Sequence, residues 1–110
     1  MTTNLYRPEL RGTIKAIPSK SHVHRLLIAA ALYGKYTQII CDGKFSDDIN
    51  ATIRCLQALG AKITTDEGVI SVHGISEPQE DAEMFCTESG STLRFMLPVV
   101  CALGVNAKFH

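Results

Sequence analysis

The sequence predicts a mixed α/β (α+β) unit in which helices and short strands alternate. Three observations predict it. Apolar residues recur at three- and four-residue spacing in two stretches, Val23–Ala31 and Ile49–Leu59, which is the period of a helix. Short runs rich in β-branched residues occur at Thr37–Cys41, Ala61–Thr65 and Val69–His73, each next to turn-forming residues. Serine opens and glycine closes each helical stretch: Ser19 and Gly34, Ser46 and Gly60, Ser91 and Gly104. Alternation of this kind is the mark of a mixed sheet-and-helix domain. The threefold echo is consistent with a duplicated helix-plus-strand unit.

The elements follow in order. Residues Met1–Ile17 read as an extended lead-in, stopped by Pro18. Ser19 caps a helix from Lys20 to Tyr33, with Val23, Leu26, Leu27, Ala30 and Ala31 as its apolar stripe. The strand Thr37–Cys41 follows, then a turn at Gly43 and Lys44. Ser46 caps the second helix, and Asp47 and Asp48 in its first turn suit the positive end of the helix dipole. Ile49, Ile53, Leu56 and Leu59 form its stripe. The strands Ala61–Thr65 and Val69–His73 flank a hairpin loop, Asp66-Glu67-Gly68. After a loop at Gly74–Ala82, Met84–Cys86 reads as a short strand. A polar loop then leads into a third helix, from Thr92 or Leu93 to Leu103. Pro98 within it kinks the helix or removes one hydrogen bond.

Bulk properties narrow the function classes. The chain has 110 residues, which suits one small domain. Lys plus Arg total 11 and Asp plus Glu total 11, so formal charge is zero and gives no electrostatic reason for nucleic acid or an anionic membrane. The aromatic side chains are 3 Tyr and 4 Phe with no Trp, which also argues against a base-stacking surface. No apolar leader opens the chain, and Met96–Leu103 is too short to span a bilayer. A soluble cytoplasmic protein is expected. Cys41, Cys55, Cys86 and Cys101 lack any C-x-x-C pair, so small buried or half-buried thiols are expected. His22 and His24 are two residues apart and do not share a helix face, so no metal site is expected.

Two constellations carry anion chemistry. In Ser19-Lys20-Ser21 with Arg25, a helix start offers free N–H groups, Lys20 a point charge and Ser21 a hydroxyl. Arg25 lies four residues after Ser21 on the same face and matches phosphate or carboxylate bidentately. An N-cap, a solvated lysine and a surface arginine account for the same residues without a ligand. In Ser89-Gly90-Ser91-Thr92 with Arg94, glycine lets backbone N–H groups approach an anion, although an ordinary loop and cap would look the same. Two such groups in one short chain point to a ligand with more than one anionic group. Ser46-Asp47-Asp48 reads as capping; if Asp48 faced Lys20 it would orient that amine by charge pairing.

These residues resemble the opening of the EPSP synthases, the 3-phosphoshikimate 1-carboxyvinyltransferases. The resemblance runs through Leu10-x-Gly12-Thr13-Ile14, Ser19-Lys20-Ser21-x-x-x-Arg25, Ala29-Ala30-Ala31-Leu32-x-Gly34, Ser46-Asp47-Asp48, Leu56-x-x-Leu59-Gly60-Ala61 and Ser89-Gly90-Ser91-Thr92-x-Arg94-Phe95. It implies an N-terminal piece of a longer transferase of the shikimate pathway, too short to be active alone. It implies part of an inside-out α/β barrel built from βαβαββ units. Residues 1–18 would join the other domain, and residues 19–110 would form the first unit and the start of the second. It implies transfer of the enolpyruvyl group of phosphoenolpyruvate to shikimate 3-phosphate, without metal or cofactor. Lys20 would contact both substrates and Asp48 would share its catalytic role. Ser21 and Arg25 would hold shikimate 3-phosphate, Gly90 would lie against phosphoenolpyruvate, and Arg94 would line the cleft. Pro18 and Glu88 depart from the family's usual glycine and asparagine.

The sister UDP-N-acetylglucosamine enolpyruvyl transferases share that fold but usually carry an Ala-Lys-Asn type of turn where this chain has Ser19-Lys20-Ser21. A non-catalytic α/β module binding phosphate or RNA is the reading from another class. A piece of a larger fold exposes faces meant for its neighbours, so self-association is also expected.

Overall fold

The computed structural model describes residues 2–7, 9–42 and 44–110. The turn expected at Gly43 therefore lies outside the described residues. Eight elements follow in the order α1 (Lys20–Tyr33), β1 (Tyr36–Ile40), α2 (Asp47–Ala58), β2 (Lys62–Asp66), β3 (Val69–His73), β4 (Ala82–Met84), α3 (Gly90–Leu103) and β5 (Ala107–Phe109).

Local chemistry explains the helix ends. The Ser19 and Ser46 hydroxyls accept from the amides of His22 and Ile49 at 3.4 Å, each satisfying an orphan first-turn donor. α1 ends at Gly34 with φ 75°, a left-handed cap that residues with a Cβ adopt only under strain. α3 begins two residues earlier than the sequence suggests. Its cap is Ser89, not Ser91, and Ser89 Oγ accepts from the Thr92 amide at 3.1 Å. Glycine at 90 hid this start, because its intrinsic preference is against helix. Pro98 sits inside α3 without ending it.

β3 is the centre of a three-stranded sheet, antiparallel to β1 on one side and β2 on the other. The β2–β3 turn is tighter than the expected three residues: Asp66 pairs with Val69 around Glu67-Gly68. The first strand spans Tyr36–Ile40 rather than 37–41, because Tyr36 finds His73 as its cross-strand partner. The strand expected at Met84–Cys86 lies at Ala82–Met84, where it pairs in parallel with β5, an element not read from sequence. α3 is the crossover between these two strands.

The helices pack on the sheet and on one another. Leu27 and Ala31 of α1, Leu56 of α2, Ile70 and Val72 of β3, Met84 of β4 and Met96 of α3 are fully buried. Burying a side chain of the Leu, Ile or Met class stabilises by about 1.5–3 kcal/mol relative to exposure. Leu26, counted in the α1 stripe, is 38% exposed at its edge. Cys41, Cys55 and Cys86 are buried, but Cys101 is exposed, and all four thiols are free. The described residues of the lead-in form no strand; Leu5, Leu10, Ile14 and Ile17 are 87–93% exposed. This is why the radius of gyration is 17.1 Å, where a compact chain of this length would give about 13 Å.

Candidate anion-binding site at three helix starts

The starts of α1, α2 and α3 meet around Asp48. The Lys20 ammonium, on the first residue of α1, donates to the Asp48 carboxylate in the first turn of α2. The Thr92 hydroxyl, in the first turn of α3, donates to the Asp48 main-chain carbonyl at 3.2 Å. The hydrogen bond from Lys20 is the main reason the Asp48 carboxyl lies below its ordinary range. Desolvation opposes it, while the Lys20 charge, the Ser89 hydroxyl and His24 reinforce it. Each helix start also carries roughly half a positive charge from its free amides. Three starts in one place make a concentrated positive field, and Asp48 occupies its centre.

The other expected site residues fall around this point. Arg25 does share a face with Ser21: its Nη1 donates to the Ser21 carbonyl at 3.2 Å. Its guanidinium lies 5.9 Å from the centre of the Phe95 ring, so an α3 aromatic holds an α1 cation by its quadrupole. Gly90 is the first residue of α3. A Cβ there would meet nothing within 4 Å, and its backbone is helical, so the fold makes no demand for glycine at this position. Open space in front of first-turn amides is what an approaching anion needs. Arg94 lies exposed one turn beyond Gly90; among the described residues no hydrogen bond or ion pair joins it to Lys20, Ser21, Arg25 or Asp48.

The sequence reading missed two parts of the site. One is a buried polar chain. His24 Nδ1 lies 2.8 Å from Thr52 Oγ1, which lies 2.9 Å from Thr92 Oγ1, which lies 2.7 Å from Ser89 Oγ. The available signal was periodicity: His24 adjoins the α1 stripe, and Thr52 is three residues after Ile49. The other is a groove of about 450 Å³ lined by Asp47, Asp48, Arg54, Thr87 and Glu88. It brings the cation Arg54 into the same recess as Glu88. Thr87, at its wall, has φ 53°, an uncommon backbone for a β-branched residue. Among the described residues no group of three or more His, Cys, Asp or Glu is placed to hold a metal ion. The groups that line the site are amides, hydroxyls and cations.

A model of the EPSP synthase (3-phosphoshikimate 1-carboxyvinyltransferase) family matches residues 6–109. The chain belongs to the EPSP synthase family. A 3-phosphoshikimate 1-carboxyvinyltransferase of Clostridium beijerinckii is 42% identical over 111 residues, covering 93% of this chain and 25% of that protein. One from Clostridioides difficile is 38% identical, covering 96% of this chain and 26% of its own length. The chain thus spans about a quarter of the curated relatives it matches. An EPSP synthase structure from Acinetobacter baumannii superposes over 90% of this chain and 23% of that one, with a TM-score of 0.68 at 19% identity. The shared fold is part of the inside-out α/β barrel of those enzymes. The described elements run αβαββ and then βαβ. No helix among the described residues is long and apolar enough to cross a membrane.

Proposed function

We propose that this chain is the N-terminal, substrate-binding part of an enzyme that moves the enolpyruvyl group of phosphoenolpyruvate to the 5-hydroxyl of shikimate 3-phosphate and releases phosphate. The observation that carries the proposal is the meeting of three helix starts at the Lys20–Asp48 pair. Both substrates are polyanions, and converging amides and cations stabilise them and the charge that develops between them. Ser21 and Arg25 bind the phosphate of shikimate 3-phosphate. Gly90 presents its amide to phosphoenolpyruvate, and Arg94 lines the same cleft. Lys20 stands between the two substrates, and Asp48 holds its ammonium in place until they arrive.

On this reading residues 19–110 hold the first unit of a substrate-binding domain and the start of the next, and residues 1–18 pair with the other domain. The exposed Leu5, Leu10, Ile14 and Ile17 support that pairing, and in isolation they favour self-association. The complete enzyme works in the cytoplasm, with no metal or organic cofactor and no nucleic-acid partner. The groups that move protons in the reaction belong to the rest of it.

Titrating nitrogen-15-labelled chain with shikimate 3-phosphate tests the assignment. Saturable amide shifts confined to Lys20, Ser21, Arg25 and their neighbours are the expected result. A well-dispersed spectrum that does not respond counts against a preformed site.

A further inference from the structure

We propose that His24 is a positioning residue for the Lys20–Asp48 pair: its Nδ1–H starts a one-way chain of donors through Thr52 and Thr92 to the Asp48 carbonyl, which ties α1 to α2 and α3 beside that pair. The inference rests on the proposed function for its purpose, but its geometry stands independently.

The argument is a count of protons. Each hydroxyl has one to give. Thr92 Oγ1 lies 3.2 Å from the Asp48 carbonyl, which can only accept, so a bond there uses the Thr92 proton. The 2.9 Å contact between Thr92 and Thr52 then needs the Thr52 proton. Thr52 has none left for His24, so the 2.8 Å contact at Nδ1 needs a proton on the histidine. The 2.7 Å contact between Ser89 and Thr92 likewise uses the Ser89 proton, so all four contacts are satisfied together.

The opposite direction is possible but poorer. If His24 carried its proton on Nε2, Thr52 would donate to Nδ1, Thr92 to Thr52 and Ser89 to Thr92. The Asp48 carbonyl would lose its second donor. Among the described residues Nε2 has no hydrogen-bond partner, and His24 is 1% exposed, so that tautomer would also bury an unpaired N–H. With the proton on Nδ1 only a lone pair is left unpaired.

The surroundings keep the ring neutral. Burial lowers its pKa; Asp48 on α2 raises it and Lys20 on its own helix lowers it. From α3 the ring meets Phe95, with centroids 5.8 Å apart, and Arg25 lies over the same phenyl ring. A neutral ring with a fixed tautomer gives the donor chain a fixed direction. The chain also fastens α1, α2 and α3 at their N-terminal ends, so it sets the spacing between the Lys20 and Gly90 sites.

A long-range proton–nitrogen correlation of the labelled 110-residue chain reads the tautomer directly, with His24→Asn identifying the His24 signals. The expected result is Nδ1 protonated, Nε2 bare, and a titration midpoint below the ordinary histidine value of about 6.5. Protonation on Nε2 overturns the proposal, and this reading needs no variant to be stable. The second reading is the Asp48 carboxyl titration. His24→Asn puts an amide donor where Nδ1–H was and is expected to keep the Asp48 value low. His24→Leu unties α1 from α2, loosens the Lys20–Asp48 pair between the same helices, and is expected to move it up. An unchanged value in a folded His24→Leu chain also overturns the proposal. The third reading is phosphoenolpyruvate affinity, expected to fall at least threefold in His24→Leu and to be rescued in His24→Asn. If wild type shows the expected tautomer and carboxyl titration but binds neither substrate, the donor chain is supported and the function proposed above is what fails.

Discussion

Gly90→Ala separates a glycine kept for folding from one kept for a ligand. Gly90 is the first residue of α3, its backbone is helical, and an added methyl group would meet nothing within 4 Å. Removing glycine from such a position lowers the entropy of the unfolded chain and exposes less backbone. In a helix interior that change is worth about 1 kcal/mol, and at a first position about half of it. For a domain of this size half a kcal/mol raises the melting temperature by about 2–4 °C. The methyl group would stand in front of the first-turn amides. Phosphoenolpyruvate affinity, read by titration, is therefore expected to fall as thermal stability rises. A lowered melting temperature would refute the packing argument. Unchanged affinity with raised stability would refute the placement of phosphoenolpyruvate at Gly90.

Other substitutions and conditions test the remaining geometry. At Gly74 an added Cβ would lie 2.4 Å from the Gly34 nitrogen and 2.5 Å from its Cα. Gly74→Ala must push the end of β3 off the α1 cap, straining the Gly74–Lys35 and Ile75–Ala31 backbone bonds. It is expected to cost about 2–4 kcal/mol in urea unfolding; a loss below about 1 kcal/mol would contradict the contact. Burial, helped by the neighbouring Cys86, pushes the Cys55 thiol up to about 12. A disulfide reagent at neutral pH is expected to modify the exposed Cys101 fast and the three buried thiols only on unfolding. Fast native modification of Cys55 would contradict this burial. The Asp48 carboxyl lies below its ordinary value, so its pair with Lys20 contributes stability above the unfolded carboxyl value of about 3.9. That contribution is lost as pH falls through the lower folded value. Asp48→Asn is expected to flatten the acid limb of stability against pH; an identical acid limb would rule the pair out as a contributor.

What could be read from sequence was what local chemistry decides. Ser19, Ser46, Gly34 and the α2 stripe are set by caps and by the helical period, and all stand where the pattern puts them. Strand ends shifted because they depend on partners: Tyr36 joins β1 through His73, and Ala82–Met84 becomes a strand through β5. The α3 start was misread because Ser89 and Ser91 are equally good caps on paper. Only the Ser89 hydroxyl meets the Thr92 amide. Lys20 and Asp48 were legible as residue types, and their pairing as a condition that the fold then met. The His24–Thr52–Thr92 chain was not legible. It links residues 28 and 40 positions apart, and no local pattern carries that information.

The position of Asp48 explains how so many positive elements coexist before any substrate is bound. Three helix starts and Lys20 would repel one another if left uncompensated. Asp48 answers the field from inside it, as a carboxylate that is 29% exposed and reachable by solvent. Arg25 is held separately, by the Ser21 carbonyl and the face of Phe95. On the proposed function, the resting site is neutralised by groups that a substrate would outcompete, because a phosphate brings more charge and more acceptor oxygens than one carboxylate. Binding would then exchange one set of acceptors for another around a scaffold that is already in place. On the proposed function, that exchange would leave Lys20 between two anions and would need no large rearrangement of the helices. It also gives the buried hydroxyl chain a clear task. The cations can change partners while the three helix starts keep their spacing.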